Sequence, residues 1–376
     1  MKVLIPITVF CLIMTYWSDR NSTYQLNVYG AKEYIHKDRV IFFLMALGMA
    51  IFVGLRTRGN DTGTYQQMYE GLGNSLSAIA EIDWENVAAT PGLTFCSTLL
   101  KSIGASFQDY LMIFAVFTVL TYLWFIRKYT SDLWLSVYFF LTMGVYTFTM
   151  AAIKQTAAVA FLVIATDRAI NKKWWKFILW VAIAELFHPY AFVYLVIPLL
   201  FFRPWSKRTY FLLIGTILVA FSLSNLMSGI LAMTDSLGYN YDTDAFIGDG
   251  VNIFRVMVVW APIMLSFLAR NSLSKNADRV AQVTINASMI NAMIMFIGLF
   301  GTANYFARLA NYFLIFQTLA LPYLFRYFTF ESKKLLKTVC IIAYGGYFYY
   351  ASAIAQGGFD KGYAFMSFLD FIKQLF

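Results

Sequence analysis

Charge is what this chain has little of. Only 13% of its 376 residues are Asp, Glu, Lys or Arg, about half the share of a soluble domain. Such a composition cannot cover a water-facing surface, which excludes a soluble enzyme. Cysteine occurs three times and histidine twice. Cys11, Cys96 and Cys340 show no CxxC or metal-ligand spacing, and the odd count argues against a disulfide framework. The chain has neither a GxGxxG nor a P-loop, and no segment between its apolar runs reaches the length of a Rossmann-type domain. Direct use of a nucleotide or nucleotide sugar in a soluble domain is therefore not expected. An internal repeat of the kind that marks many transporters is also missing.

What is present is apolar. Hydrophobic residues make up 60% of the chain, with 37 Phe, 25 Tyr and 9 Trp, and the mean hydropathy is +0.63. The expected fold is an all-α polytopic membrane protein, a single transmembrane domain over 1–376 with a GT-C-like helical bundle as one possible arrangement. Apolar runs predict about twelve spans (range about 10 to 13). They lie at 2–17, 39–56, 108–127, 132–149, 151–169, 174–188, 189–203, 208–227, 252–270, 281–300, 303–325 and 335–354. The first is read as an uncleaved span, because the following SDRNSTY lacks a small-x-small cleavage site. The last twenty or so residues have room for a short interfacial or re-entrant helix.

The formal net charge of +9 is informative once it is sorted by side. Segments 18–39, 127–131, 168–176, 203–208, 270–280 and 326–337 carry 20 of the 29 Lys and Arg residues. The positive-inside rule puts these segments in the cytoplasm and both termini outside. Two long outer loops follow. Loop 57–107 carries Asp61, Glu70, Glu81, Asp83 and Glu85, with a central stretch suited to an amphipathic helix. Loop 228–250 carries Asp235, Asp242, Asp244 and Asp249 and no Lys or Arg.

The basic residues left on the disfavoured side are the functional candidates. Arg255, Arg308 and Lys154 each fall about one turn inside the outer end of a span, and Arg56 and Arg58 close the second span. A cation at membrane depth costs at least ~2.5–3.5 kcal/mol at the centre of a helix, less toward its ends. Each one alone can snorkel to headgroups or pair with an acid. Together they suit a dianionic, membrane-tethered group, since Arg offers planar bidentate donors to phosphate oxygens and Lys a point charge. A lipid-linked phosphate or diphosphate is the natural ligand.

His188 in AELFHPY is the second candidate. Pro189 disfavours helical conformation at the residue before it, and Trp174 to Phe202 leaves about 22 Å for each of two crossings against a ~30 Å hydrocarbon core. The hairpin tip is expected to be recessed. His188, with Glu185 one turn earlier, is either a general base near neutral pH or a cap on a broken helix. His36 falls in a cytoplasmic loop and is expected to be solvated. Asp61 is either the N-cap of a loop helix or a group that holds Arg58 or a sugar hydroxyl.

GLRTRGNDTGTYQQMY after the second span, KQTAAVAFLVIA in the fifth, AELFHPYAFVYLVIP across the sixth and seventh, and RLANYFLIFQTLALP in the eleventh together resemble the EpsG family. Its members are Wzy-like bacterial polymerases of exopolysaccharide, capsule and O-antigen. The resemblance covers about residues 40–325. Lys154 stands where the family often has Arg, and HPY replaces the more usual HxSA.

The resemblance implies transfer of a growing glycan from undecaprenyl diphosphate to the nonreducing-end hydroxyl of another lipid-linked repeat unit, at the outer face of the bacterial plasma membrane. Arg56, Arg58, Lys154, Arg255 and Arg308 would bind the diphosphate. His188 would take the acceptor proton, with Asp61 as rival. Glu185, Thr62, Tyr65, Gln155 and Tyr312 would support them. No cofactor, metal or nucleic acid is implied; membrane lipids, a flippase and a chain-length regulator are the implied partners. The rival readings are an O-antigen ligase or other lipid-linked glycosyltransferase, and a lipid or oligosaccharide transporter. The concentration of ionisable residues near one face favours surface chemistry over passage.

Overall fold

The computed structural model describes residues 1–27, 32–85, 90–236, 250–301, 303–355 and 358–375. The chain divides into two compact units, one of Met1–Leu195 with Thr338–Phe376, the other of Val196–Lys337.

The first unit opens with α1 (Leu4–Arg20), the hairpin β1 (Thr23–Leu26) and β2 (Lys32–His36), and α2 (Val40–Gly54). A three-residue strand, β3 (Arg56–Arg58), leads into α3 (Thr62–Glu70), a short 3-10 turn at Leu76–Ile79, and α4 (Pro91–Ser102). Then come α5 (Phe107–Tyr129), α6 (Leu133–Thr142), α7 (Val145–Ala151), α8 (Ile153–Ile170) and α9 (Trp174–Glu185). Helix α8 is the centre of this unit, packing on α9 and α5, while α5 also packs on α2. Its buried alanines Ala157, Ala158, Ala160, Ala165 and Ala169 let neighbouring backbones come close, which is how membrane helices gain contact without a hydrophobic driving force.

The second unit holds α10 (Lys207–Ser236), α11 (Ile253–Leu268), α12 (Arg270–Asn276), α13 (Arg279–Ile297), α14 (Ala303–Asn311) and α15 (Leu314–Leu324). Here α13 is central, packed against α10, α11, α14 and α15. Fully buried Gln317 ties α15 to α11 and α13, its amide sharing two hydrogens among the carbonyls of Val259 and Ser288 and Asn291 Oδ1, at 3.1, 3.1 and 2.9 Å. Helix α16 (Phe330–Tyr349) leads to the C-terminal pieces α17 (Phe359–Gly362), β4 (Ala364–Phe365) and α18 (Phe368–Leu375).

The all-α class is as expected, but twelve full-length spans are not found. Among the described residues, three helical runs are long and apolar enough to cross a membrane: Phe107–Tyr129, Arg279–Ile297 and Phe330–Gly362. Counting each of two bent pairs as one span gives five. The shortfall has local causes. The expected 132–149 span bends by 46° where Gly144 takes a left-handed φ of 83° between α6 and α7. The 303–325 span breaks between Asn311 and Leu314. Helices α2 and α9 have only 15 and 12 residues. The 189–203 arm is a ten-residue 3-10 helix, Ala191–Leu200, with Pro198 inside it.

The two long loops expected outside hold these elements. In 57–107 the helices sit at the two ends as α3 and α4, not in the centre. Of 228–250, residues up to Ser236 continue α10, and residues 237–249, with Asp242, Asp244 and Asp249, lie outside the described residues.

Polar contacts join the helix ends. In the first unit Lys37 Nζ donates to the carbonyls of Arg127 and Thr130 at 2.7 and 2.8 Å, and Lys128 pairs with Asp167. Gly92 N–H reaches Leu186 O at 2.8 Å and Asn60 Nδ2 reaches Ala151 O at 3.2 Å. In the second unit Arg326 meets Asp278 at 4.0 Å, whereas Val251 N–H meets Gly298 O at 2.7 Å.

Candidate active site

The site is built on the turn that follows α2. Strand β3 pairs antiparallel with β4, Arg56 opposite Phe365 and Arg58 opposite Ala364, and Met366 N–H closes the ladder on Leu55 O at 3.0 Å. At Gly59 the chain takes φ 152°, and a Cβ there would come within 2.1 Å of the Tyr363 ring, so only glycine fits. Asn60 follows with φ 37°, and α3 begins at Thr62.

Arg56 is 1% exposed. Its Nη1 donates to Val53 O at 2.9 Å, its Nε has no hydrogen-bond partner, and no carboxylate pairs with it among the described residues. A guanidinium stays protonated at neutral pH, so Arg56 is a cation held where an unpaired charge is costly. Arg58 is exposed and donates from Nη2 to Lys361 O at 3.3 Å.

The other expected members gather around β3. Tyr65 is buried, and its hydroxyl accepts the Lys154 backbone N–H at 3.3 Å while the Lys154 ammonium lies 6.0 Å from its ring centre. Lys154 occupies the first turn of α8, where no acidic residue offsets it. A cation there opposes the helix dipole, and an anion bound beside it would be favoured by both. Thr62 is buried with its Oγ1 unpartnered, and Gln155 is buried one residue beyond Lys154.

Asp61 occupies the N-cap position of α3 but makes no side-chain cap bond, and Arg58 is held by the Lys361 carbonyl, not by Asp61. Glu185 does not orient His188; its carboxylate accepts the Phe192 N–H at 2.8 Å, across the Pro189 break. That choice follows from the break itself, which frees backbone donors that need an acceptor.

His188 lies at the expected helix stop. It is half-buried, its N–H reaches Ala184 O at 3.1 Å, and its ring is 5.6 Å from that of Tyr190. The start of α4 docks two residues away, through Gly92 and Leu186.

In the second unit, half-buried Arg255 sits in the first turn of α11, whose cap is Asn252, with no acidic residue in that turn. Arg308 is exposed on α14, and Tyr312 is fully buried just after it. The Asn291 amide donates to Ala310 O at 2.7 Å and fixes this segment.

Sequence reasoning missed Tyr363, Tyr110 and β4. One signal was present: Lys361 is among the few basic residues predicted outside the cytoplasm, and it introduces the GYAF stretch that forms β4.

Fold and site define a helical membrane protein that places Arg56 and Arg58, with no carboxylate partner among the described residues, at the exit of one of its short helices. The chain belongs to the EpsG family, whose model matches residues 39–366, a family of polysaccharide polymerases. The match reaches through β4 and so includes both strands of the site. No curated protein and no solved structure matches.

Proposed function

We propose that this protein polymerises lipid-linked repeat units, transferring a growing glycan from undecaprenyl diphosphate to the nonreducing end of another lipid-linked unit at the outer face of the bacterial plasma membrane. The observation that carries the reading is Arg56, a buried guanidinium with no carboxylate partner among the described residues, flanked in sequence by exposed Arg58 and joined through Tyr65 to Lys154. Uncompensated positive charge of this kind is what a diphosphate leaving group requires, and electrostatic stabilisation of developing charge is the largest single term in many enzymes.

In the proposed reaction the acceptor hydroxyl attacks the anomeric carbon, the bond to the diphosphate oxygen breaks, and the hydroxyl proton passes to His188, with Asp61 as the rival base. Arg58 and Lys154 neutralise the departing diphosphate, and buried Arg56 supplies fixed positive potential behind them. Thr62, Tyr65 and Gln155 support Arg58 and Lys154, and Glu185 holds the Phe192 backbone beyond the break at Pro189. Within the second unit Arg255 and Arg308 are candidate diphosphate ligands in their own right, with Tyr312 as support. The glycosyl diphosphate is already activated, so no nucleotide is consumed. A flippase would deliver the substrate, and a chain-length regulator would set the product.

Arg58→Ala and His188→Ala, expressed at wild-type level in the host, test this reading. Single repeat units should remain while long chains disappear; unchanged chain length in both would remove the site from the reaction.

A further inference from the structure

The C-terminal segment carries a side chain that the proposed reaction has not used. Tyr363 is half-buried, and its hydroxyl has no hydrogen-bond partner among the described residues. Its ring is fixed on two faces. One lies against Gly59, where even a Cβ would clash, and Phe359 stacks parallel on the ring at 4.3 Å between centres and 12° between planes. The next residues are the β4 strand that pairs with β3, and Phe365 is held in turn by Phe52, stacked at 4.5 Å.

Position and chemistry agree. The phenol lies within electrostatic reach of both Arg56 and Asp61. Burial raises its pKa, Arg56 lowers it and Asp61 raises it, for a net upward shift. At neutral pH it is therefore an O–H donor beside the basic strand, with no acceptor among the described residues. A ring-anchored, half-exposed donor near the Arg56 guanidinium is suited to an anionic oxygen.

We infer that Tyr363 donates a hydrogen bond from its phenol to a diphosphate oxygen of the lipid-linked donor, making the C-terminal segment part of the substrate site. The inference rests on the reading of Arg56, Arg58 and Lys154 as the diphosphate site. It separates two roles in one side chain: the ring fills the space over Gly59, and the hydroxyl binds substrate.

Tyr363→Phe keeps the ring and removes only the hydroxyl. In the full chain reconstituted in lipid nanodiscs, farnesyl diphosphate is the probe, with Arg58→Ala as control. Tyr363→Phe should bind the probe about tenfold more weakly, the loss expected for one hydrogen bond to a charged group, at an unchanged melting temperature. Tyr363→Ala should show the same loss and a lowered melting temperature. Wild-type affinity in Tyr363→Phe with weakened Arg58→Ala overturns the inference and leaves the proposed function standing. Wild-type affinity in both variants overturns the reading on which it rests. A lowered melting temperature in Tyr363→Phe would make the hydroxyl structural and also overturn it.

Discussion

Tyr65 and Lys154 meet twice, through the Lys154 N–H donated to the Tyr65 hydroxyl at 3.3 Å and through the Lys154 ammonium 6.0 Å from the centre of the same ring. The tyrosine thereby couples α3 to the first turn of α8 and sets where the ammonium stands. Lys154→Ala should leave stability unchanged or raise it slightly, because a first-turn cation opposes the dipole by about 0.3–1 kcal/mol. Polymer formation should fall at least tenfold, while Lys154→Arg, which restores what the family often carries here, should retain it. Gel profiles of chain length alongside thermal unfolding in detergent check both halves.

Arg56 predicts a trade of stability against activity. The guanidinium is charged in folded and unfolded chains alike, and in the folded chain it carries the cost of burial without an ion partner among the described residues. Arg56→Met removes the cost at every pH and should stabilise the protein by roughly 1–3 kcal/mol while abolishing polymerisation. A variant less stable than wild type at pH 7 would mean that Arg56 is compensated.

Gly59 is predicted to tolerate nothing larger. Gly59→Ala places a methyl group against the Tyr363 ring at a φ of 152°, a strain of about 1–3 kcal/mol with displacement of the C-terminal segment added. A lowered melting temperature and loss of polymer should appear together; a wild-type melting curve would show that Tyr363 does not lie on this turn.

His188 and Glu185 should separate in mutagenesis. Glu185 holds the Phe192 N–H and not the imidazole, so Glu185→Gln, which keeps an acceptor oxygen, should cost less than about threefold in rate. His188→Ala should lose the 10²–10⁴-fold typical of a general base, as should His188→Gln. Equal effects at both positions, measured as initial rates of polymer growth, would contradict the assignment.

The all-α class and several helix positions were legible because apolar runs mark where helices lie, although they overstated how many are long enough to span a membrane. The ends of α5, α8 and α9 fall within a few residues of the predicted boundaries, and Pro189 marks its break correctly. The pairing of Arg56 with Phe365 was not legible. It depends on strands of three and two residues whose partners lie some three hundred positions apart, too short to show alternation. The break after Asn311 and the use of Glu185 escaped for a related reason. Glu185 is used by a backbone donor, the Phe192 N–H, and at the break Ala310 O accepts from both the Phe313 N–H and the Asn291 amide; no residue pattern announces either.

The central claim is that chain growth consumes lipid-linked repeat units alone, through the basic site after α2. The direct measurement uses purified protein in nanodiscs, supplied with lipid-linked repeat units extracted from a host lacking this gene, with no nucleotide sugar added. Wild-type protein should produce a ladder of polymer and release undecaprenyl diphosphate one for one with each linkage formed, and Arg58→Ala should produce neither. A ladder that forms equally with Arg58→Ala, or one that appears only when nucleotide sugar is added, would contradict the account.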